Sequence, residues 1–161
     1  MKFCILLVIF ISSLFAQSYN FTETRYSDAF GQSIELKGVI RLEENALKIN
    51  YESSNKEIVY KDSALVITED AKVLDVPKLQ AQNMGMFLQI ILMLHSNDED
   101  VLNEHFTMKQ EENKTVLNPK GNLSQYIEKL TLVKHEEQLK EVKLFLNNAD
   151  HITISIEDEI R

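Results

Sequence analysis

From Ser33 to the C-terminus, with one interruption, apolar residues recur at every second position, and that period limits the chain to strands. Ile34, Leu36, Ile40 and Leu42 alternate with Glu35, Lys37 and Arg41. Leu47, Ile49 and Tyr51 alternate with Lys48, Asn50 and Glu52, and Ile58 and Tyr60 with Glu57 and Lys61, before Leu65 and Ile67 follow. Such alternation gives each strand one dry face and one wet face. The connectors Glu43-Glu44-Asn45, Ser53-Ser54-Asn55-Lys56 and Asp62-Ser63 are short and turn-forming. A parallel crossover needs about a dozen residues or more, so these strands pair antiparallel, as an up-and-down meander.

The interruption runs from Lys78 to Ser96, after Pro77, and is helical in period. Its segment Met84 to Leu94, MGMFLQIILML, is apolar except for Gly85 and Gln89. Phe87, Ile90, Ile91 and Leu94 fall on one face, and Met84, Leu88 and Leu92 widen it. At ~1.5 Å per residue this segment reaches only about half of a ~30 Å bilayer core, so it does not span a membrane. An apolar helix of this kind either plugs an α+β core or covers a cavity. Three methionines supply a deformable surface suited to variable contents. Gly85 lowers the intrinsic helix stability by roughly 1 kcal/mol relative to Ala.

Strand patterning then resumes. Asn97 to Asp100 reads as an acidic break, with another helical turn over Val101 to Glu104. Phe106 and Met108, Val116 and Leu117, Leu130 and Leu132, Val142 to Leu146, and Ile152 to Ile156 form a second meander, with turns at Glu111 to Lys114 and Pro119 to Asn122. Roughly ten twisted strands tend to curl, so the expected fold is α+β and mainly β: a half-closed antiparallel barrel, or curved sheet, with the helical insertion over its dry concave face as plug or cover.

Residues 1–16 read as a secretory signal peptide, with Lys2, an apolar core from Phe3 to Phe15 and Ala16 at the cut. Residues 17–161 are then one domain, without a cysteine because Cys4 lies inside the signal. A net charge of −8 argues against nucleic acid or an anionic membrane surface as partner.

The order of motifs resembles the LolA-type periplasmic lipoprotein carriers. The residues that carry the likeness are Phe21-Thr22, the strands Gly38 to Leu42 and Asn45 to Tyr51, the hairpin Ile58 to Ile67, the apolar helix Met84 to Leu94, and Phe106 to Gln110 leading to Val116-Leu117-Asn118-Pro119-Lys120. The resemblance implies an unclosed antiparallel β-barrel (curved sheet) covered by a helical lid, a hydrophobic cavity for acyl chains, no catalysis, no cofactor, and a monomer in the periplasm. It also implies two protein partners, an inner-membrane ATP-driven lipoprotein extractor and an outer-membrane acceptor. Glu43 and Ile49 stand where the family usually has an Arg and an aromatic residue, so the lid latch is different or absent, and the usual N-terminal helix is missing.

On this reading Met84, Met86, Phe87, Ile90, Ile91 and Leu94 meet the acyl chains from above. Ile40, Leu42, Leu47, Ile49, Tyr51, Ile58, Leu65 and Ile67 line the sheet side. A catalytic reading finds little support: His95, His105, His135 and His151 form no metal-ligand spacing, and no phosphate loop or nucleophile elbow occurs. A non-catalytic structural or protein-binding module with a permanently packed core is the alternative.

Overall fold

All the strands join one sheet. The computed structural model describes residues 16–96, 98–136 and 138–160; residues 1–15 of the expected signal peptide lie outside the described residues. In chain order the elements are β1 (Gln17–Ser27), β2 (Gln32–Leu42), β3 (Ala46–Tyr51), β4 (Lys56–Lys61), β5 (Ala64–Glu69) and β6 (Lys72–Val73). Helices α1 (Lys78–Ser96) and α2 (Glu99–His105) follow, then β7 (Phe106–Glu111), β8 (Lys114–Pro119), a 3-10 turn (Gly121–Gln125), β9 (Ile127–His135), β10 (Gln138–Leu146) and β11 (His151–Glu159).

The sheet order is β6-β5-β4-β3-β2-β1-β11-β10-β9-β8-β7, and every pairing is antiparallel. The first meander runs outward from β1 to the edge at β6, and the second returns from the other edge, β7, to place β11 against β1. The two edges do not pair, so the barrel is unclosed. The chain between them must cross the open side. That crossing is α1, 19 residues and thus about 28 Å long at 1.5 Å per residue, followed by α2.

Register explains the dry face. Ile40, Ile49, Ile58 and Ile67 are directly opposite one another across β2 to β5, and Leu42, Leu47, Tyr60 and Leu65 form the next row. On the other wing Leu117, Leu130, Leu144 and Ile152 form a row across β8 to β11. The hairpins at Asp62-Ser63 and Asp70-Ala71 have positive φ at both central residues, as a type I′ turn requires to match the twist of its strands. The acidic break is a helix start: Asp98 caps α2 by accepting from the Asp100 and Val101 amides, and Glu99 and Asp100 lie in the first turn.

Two apolar clusters meet under α1. Leu88 and Ile91 pack with β1 to β5, whereas Ile90 and Leu94 pack with β7 to β10. Half-buried Phe87 touches both clusters. Leu88, expected only to widen the apolar face, is fully buried, while Phe87 stays partly open because its ring borders free space.

Strand β1 departs from the sequence reading, which assigned no strand to Gln17–Ser27. It is the central strand, paired along its length to β2 and β11. Its inward positions are Tyr19, Phe21, Glu23 and Arg25, so two charged residues occupy places where alternation leads one to expect apolar ones.

Gly85 faces Tyr60 with room to spare: an added Cβ would stand 3.6 Å from the Tyr60 ring, an ordinary contact. Gly85→Ala therefore stabilises the fold by about 1 kcal/mol through helix propensity, raising Tm by roughly 2–4 °C in a thermal melt. A lower Tm would mean that α1 packs more closely there than this contact indicates.

Candidate functional site

The N-terminal half of α1 and the concave face of the sheet enclose a cavity of about 480 Å³. The four fully buried side chains of α1 all lie from Leu88 onward, whereas Gln80, Asn83, Met84 and Phe87 border the open space. The floor is apolar: Phe21 from β1, Ile40 from β2, Ile49 and Ile58 from β3 and β4, and Ile127, Leu144, Ile152 and Ile154 from the second meander. The rim is polar, with Gln125, Asn147 and Asn148 beside Tyr126. It is tied together at the turns. Asn147 donates from its side chain to the Ser124 carbonyl (3.0 Å) and from its backbone to that of Tyr126 (3.1 Å). The Asp28 amide donates to Asp150 (2.8 Å), fastening the β1–β2 turn to the β10–β11 turn.

Within this apolar floor stands a three-residue polar cluster. Glu23 is 3% exposed, the only buried polar or charged residue among the described residues. Neighbouring strands place Leu36 and Ile154 opposite it. An unpaired carboxylate there would carry a heavy desolvation cost. Arg25, two residues on and therefore on the same face, donates from Nε to Glu23 Oε1. The Tyr51 hydroxyl donates to Glu23 Oε2 at 2.7 Å, and Arg25 Nη2 donates to the Tyr51 oxygen at 3.3 Å. Burial, then the neighbouring Glu23 charge, pushes the Tyr51 hydroxyl well above the usual tyrosine range, so Tyr51 remains a donor. Burial alone would lower the Arg25 pKa, but the hydrogen bond and charge of Glu23 outweigh it and hold the guanidinium cationic. Phe21 meets the Tyr51 ring edge-on, with centroids 5.8 Å apart.

Of the residues assigned from sequence to the acyl chains, Met84, Met86, Phe87, Ile40, Ile49, Tyr51 and Ile58 line this cavity. The others lie outside its wall. Leu47, Leu65 and Ile67 belong to the packed cluster beneath the helix. Leu42, Ile91 and Leu94 border a smaller cavity of about 240 Å³ at the far end of α1, and Ile90 borders a surface groove shared with Gln89 and Met93. The physical reason is close contact between α1 and both wings from Leu88 onward, which fills the space above those strand positions. The sequence reading also took the sheet side from the first meander alone, while the structure adds the second meander and β1.

His95, in the last turn of α1, borders the smaller cavity, where burial lowers its pKa. The folded state thus disfavours the imidazolium. The resulting contribution to stability is complete above the unfolded histidine value, about 6.5, and is lost as pH falls below it toward the depressed folded value. His95→Gln should flatten that part of the profile in denaturant titrations between about pH 7.5 and 5.5; an unchanged slope would place the imidazole in water.

Among the described residues no group of three or more His, Cys, Asp or Glu side chains is placed to hold a metal ion, and no helix is long and apolar enough to cross a membrane. No protein-family model matches the sequence, and no curated protein is similar to it. Among solved structures, the chain is similar to a LolA superfamily protein from Nitrosomonas europaea, with 7% identity and a TM-score of 0.44 over 91% of this chain and 86% of that one.

Proposed function

We propose that this chain is a periplasmic carrier that shelters the acyl chains of lipoproteins in the cavity beneath α1 and moves them from the inner to the outer membrane. The extractor and acceptor that the motif resemblance implies are its partners. The observation that carries this reading is the cavity itself, about 480 Å³ with an apolar floor and a polar rim, where a permanently packed core would be filled. Its volume lies within the ~300–1,000 Å³ of small-molecule sites. Each buried methylene contributes about 0.8 kcal/mol, so most of one acyl chain supplies on the order of 10 kcal/mol, enough to keep a lipid in solution. Met84, Met86 and Phe87 give the helical wall a deformable surface that adapts to chains of different shape.

Phe87 borders the cavity while remaining only partly buried, which makes it the informative position. Phe87→Asp is expected to weaken binding of a fluorescent acyl probe at least ~10-fold, since about 1.5–3 kcal/mol of apolar contact is lost and a carboxylate enters the apolar space. Val66→Asp, at an exposed position off the concave face, should leave binding as in the parent. Equal binding by a folded Phe87→Asp protein would remove the cavity from the account.

A further inference from the structure

The cavity contains one ion pair, and its partners are unequally exposed: the Glu23 side chain is 4% accessible and the Arg25 side chain 41%. Both carboxylate oxygens of Glu23 are engaged, one by Arg25 and one by Tyr51. Arg25 donates from Nε to Glu23 and from Nη2 to the Tyr51 oxygen, two of the five N–H donors in its fork, so donors remain for a ligand. It borders both the cavity and an adjoining surface groove that reaches Phe30 and Ile34, so the guanidinium stands where inside and outside meet. The rest of the cavity's polar wall is uncharged, made of amides and tyrosines. The groove's acid, Asp150, accepts from the Asp28 amide through one oxygen and from Asn148 through the other. Of the two charged side chains that line the cavity itself, the accessible one is the cation.

We infer that the cavity takes a single-chain amphiphile with an anionic head, the head bound by the free N–H edge of Arg25 and the chain lying under Phe87 against Phe21, Ile40 and Ile58. This rests on the acyl-chain reading of the cavity and adds a free amphiphile to the lipoprotein as a class of cargo. Glu23 is a positioning residue here: it holds the fork at the mouth and, with both oxygens occupied, offers little repulsion. A charge-assisted contact discriminates an anionic head from a neutral one of the same chain length, while the apolar floor binds both.

The test is calorimetric titration at about pH 8, where a carboxylate is ionised, with dodecanoic acid, its methyl ester, dodecyl phosphate and dodecyltrimethylammonium. The acid should bind about tenfold tighter than the ester, the lower limit for a hydrogen bond to a charged group, and the trimethylammonium should bind weakest. The phosphate binding tighter than the acid would assign a phosphomonoester head, and weaker binding a carboxylate head. Because Arg25→Met alone leaves Glu23 unpaired, the variant used is Glu23→Gln with Arg25→Met, in which the ratio of acid to ester affinities should fall to about one. Equal binding of acid and ester by the parent protein, or preference for the cation, would overturn the anionic head while leaving the acyl cavity intact. Binding of none of the four would overturn both.

Discussion

Arg25→Met destabilises this protein by about 2–3 kcal/mol, because it strands a carboxylate on the dry face of the sheet. Breaking a fully buried pair costs roughly 3–5 kcal/mol. The lower figure applies because the Arg25 side chain is partly open to water and Tyr51 still donates to Glu23. Adding Glu23→Gln to Arg25→Met should recover most of the loss: an amide at position 23 still accepts from Tyr51, and no charge remains in apolar surroundings. The double-mutant cycle therefore gives a coupling energy on the order of 1–3 kcal/mol in denaturant unfolding. Additive single effects would mean that Glu23 reaches water and that the pair is a surface feature.

Gly38→Ala is the second large effect, and its cause is steric. Phe21 on β1 and Tyr51 on β3 are opposite Gly38 in register, one on each side. A Cβ added there would lie 2.2 Å from the Asn50 carbonyl oxygen and 3.0 Å from Phe21 Cε1. The ring can turn slightly, but the carbonyl belongs to the neighbouring strand, so β2 and β3 would have to part. Overpacking usually costs about 1–3 kcal/mol, and an obstacle made of backbone puts this site at the upper end or beyond. A loss of ~3 kcal/mol corresponds to a Tm lower by roughly 6–12 °C for a chain of this size. Phe21 and Tyr51 also border the cavity, so the same change should weaken acyl-probe binding. Gly85→Ala, with its nearest neighbour 3.6 Å away and the opposite expected sign, is the natural comparison. If both alanines shifted Tm upward, the close approach at Gly38 would be wrong.

The two predictions concern residues that the sequence pattern hides. The meanders were legible because Ile40, Ile49, Ile58 and Ile67 each alternate with polar neighbours, and short turns such as Asp62-Ser63 leave antiparallel pairing as the only geometry. The covering helix was legible from its period and length. Strand β1 was not, because Glu23 and Arg25 take inward positions and Tyr26 an outward one, which scrambles the hydropathy of its second half. Another signal was available: Tyr19, Phe21, Thr22, Thr24 and Tyr26 are strand formers, and a Glu–Arg pair two apart shares one face of any strand.

The division of the apolar surface into cavity and core was likewise beyond periodicity. Alternation identifies Leu47 and Ile49 equally as inward, and both belong to the packed cluster, yet only Ile49 also borders the cavity. What separates them is their place along the same strand: Ile49 shares a row with Ile40 and Ile58, which border the cavity, whereas Leu47 is one row on, with Leu42 and Tyr60. The polar cluster has the same origin: a buried carboxylate is tolerable only where Arg25 and Tyr51, distant from each other in sequence, converge on it.

An apolar space open to solvent beneath a methionine-bearing helix is useful only if something apolar fills it. The most direct measurement is native mass spectrometry of residues 17–161 incubated with an acylated lipopeptide, read together with displacement of a hydrophobic dye. One lipid should bind per chain, dye fluorescence should fall as the lipid is added, and both signals should weaken at least ~10-fold in Phe87→Asp. A folded protein that holds neither lipid nor dye would contradict a lipid-binding cavity and leave a closed structural domain in its place.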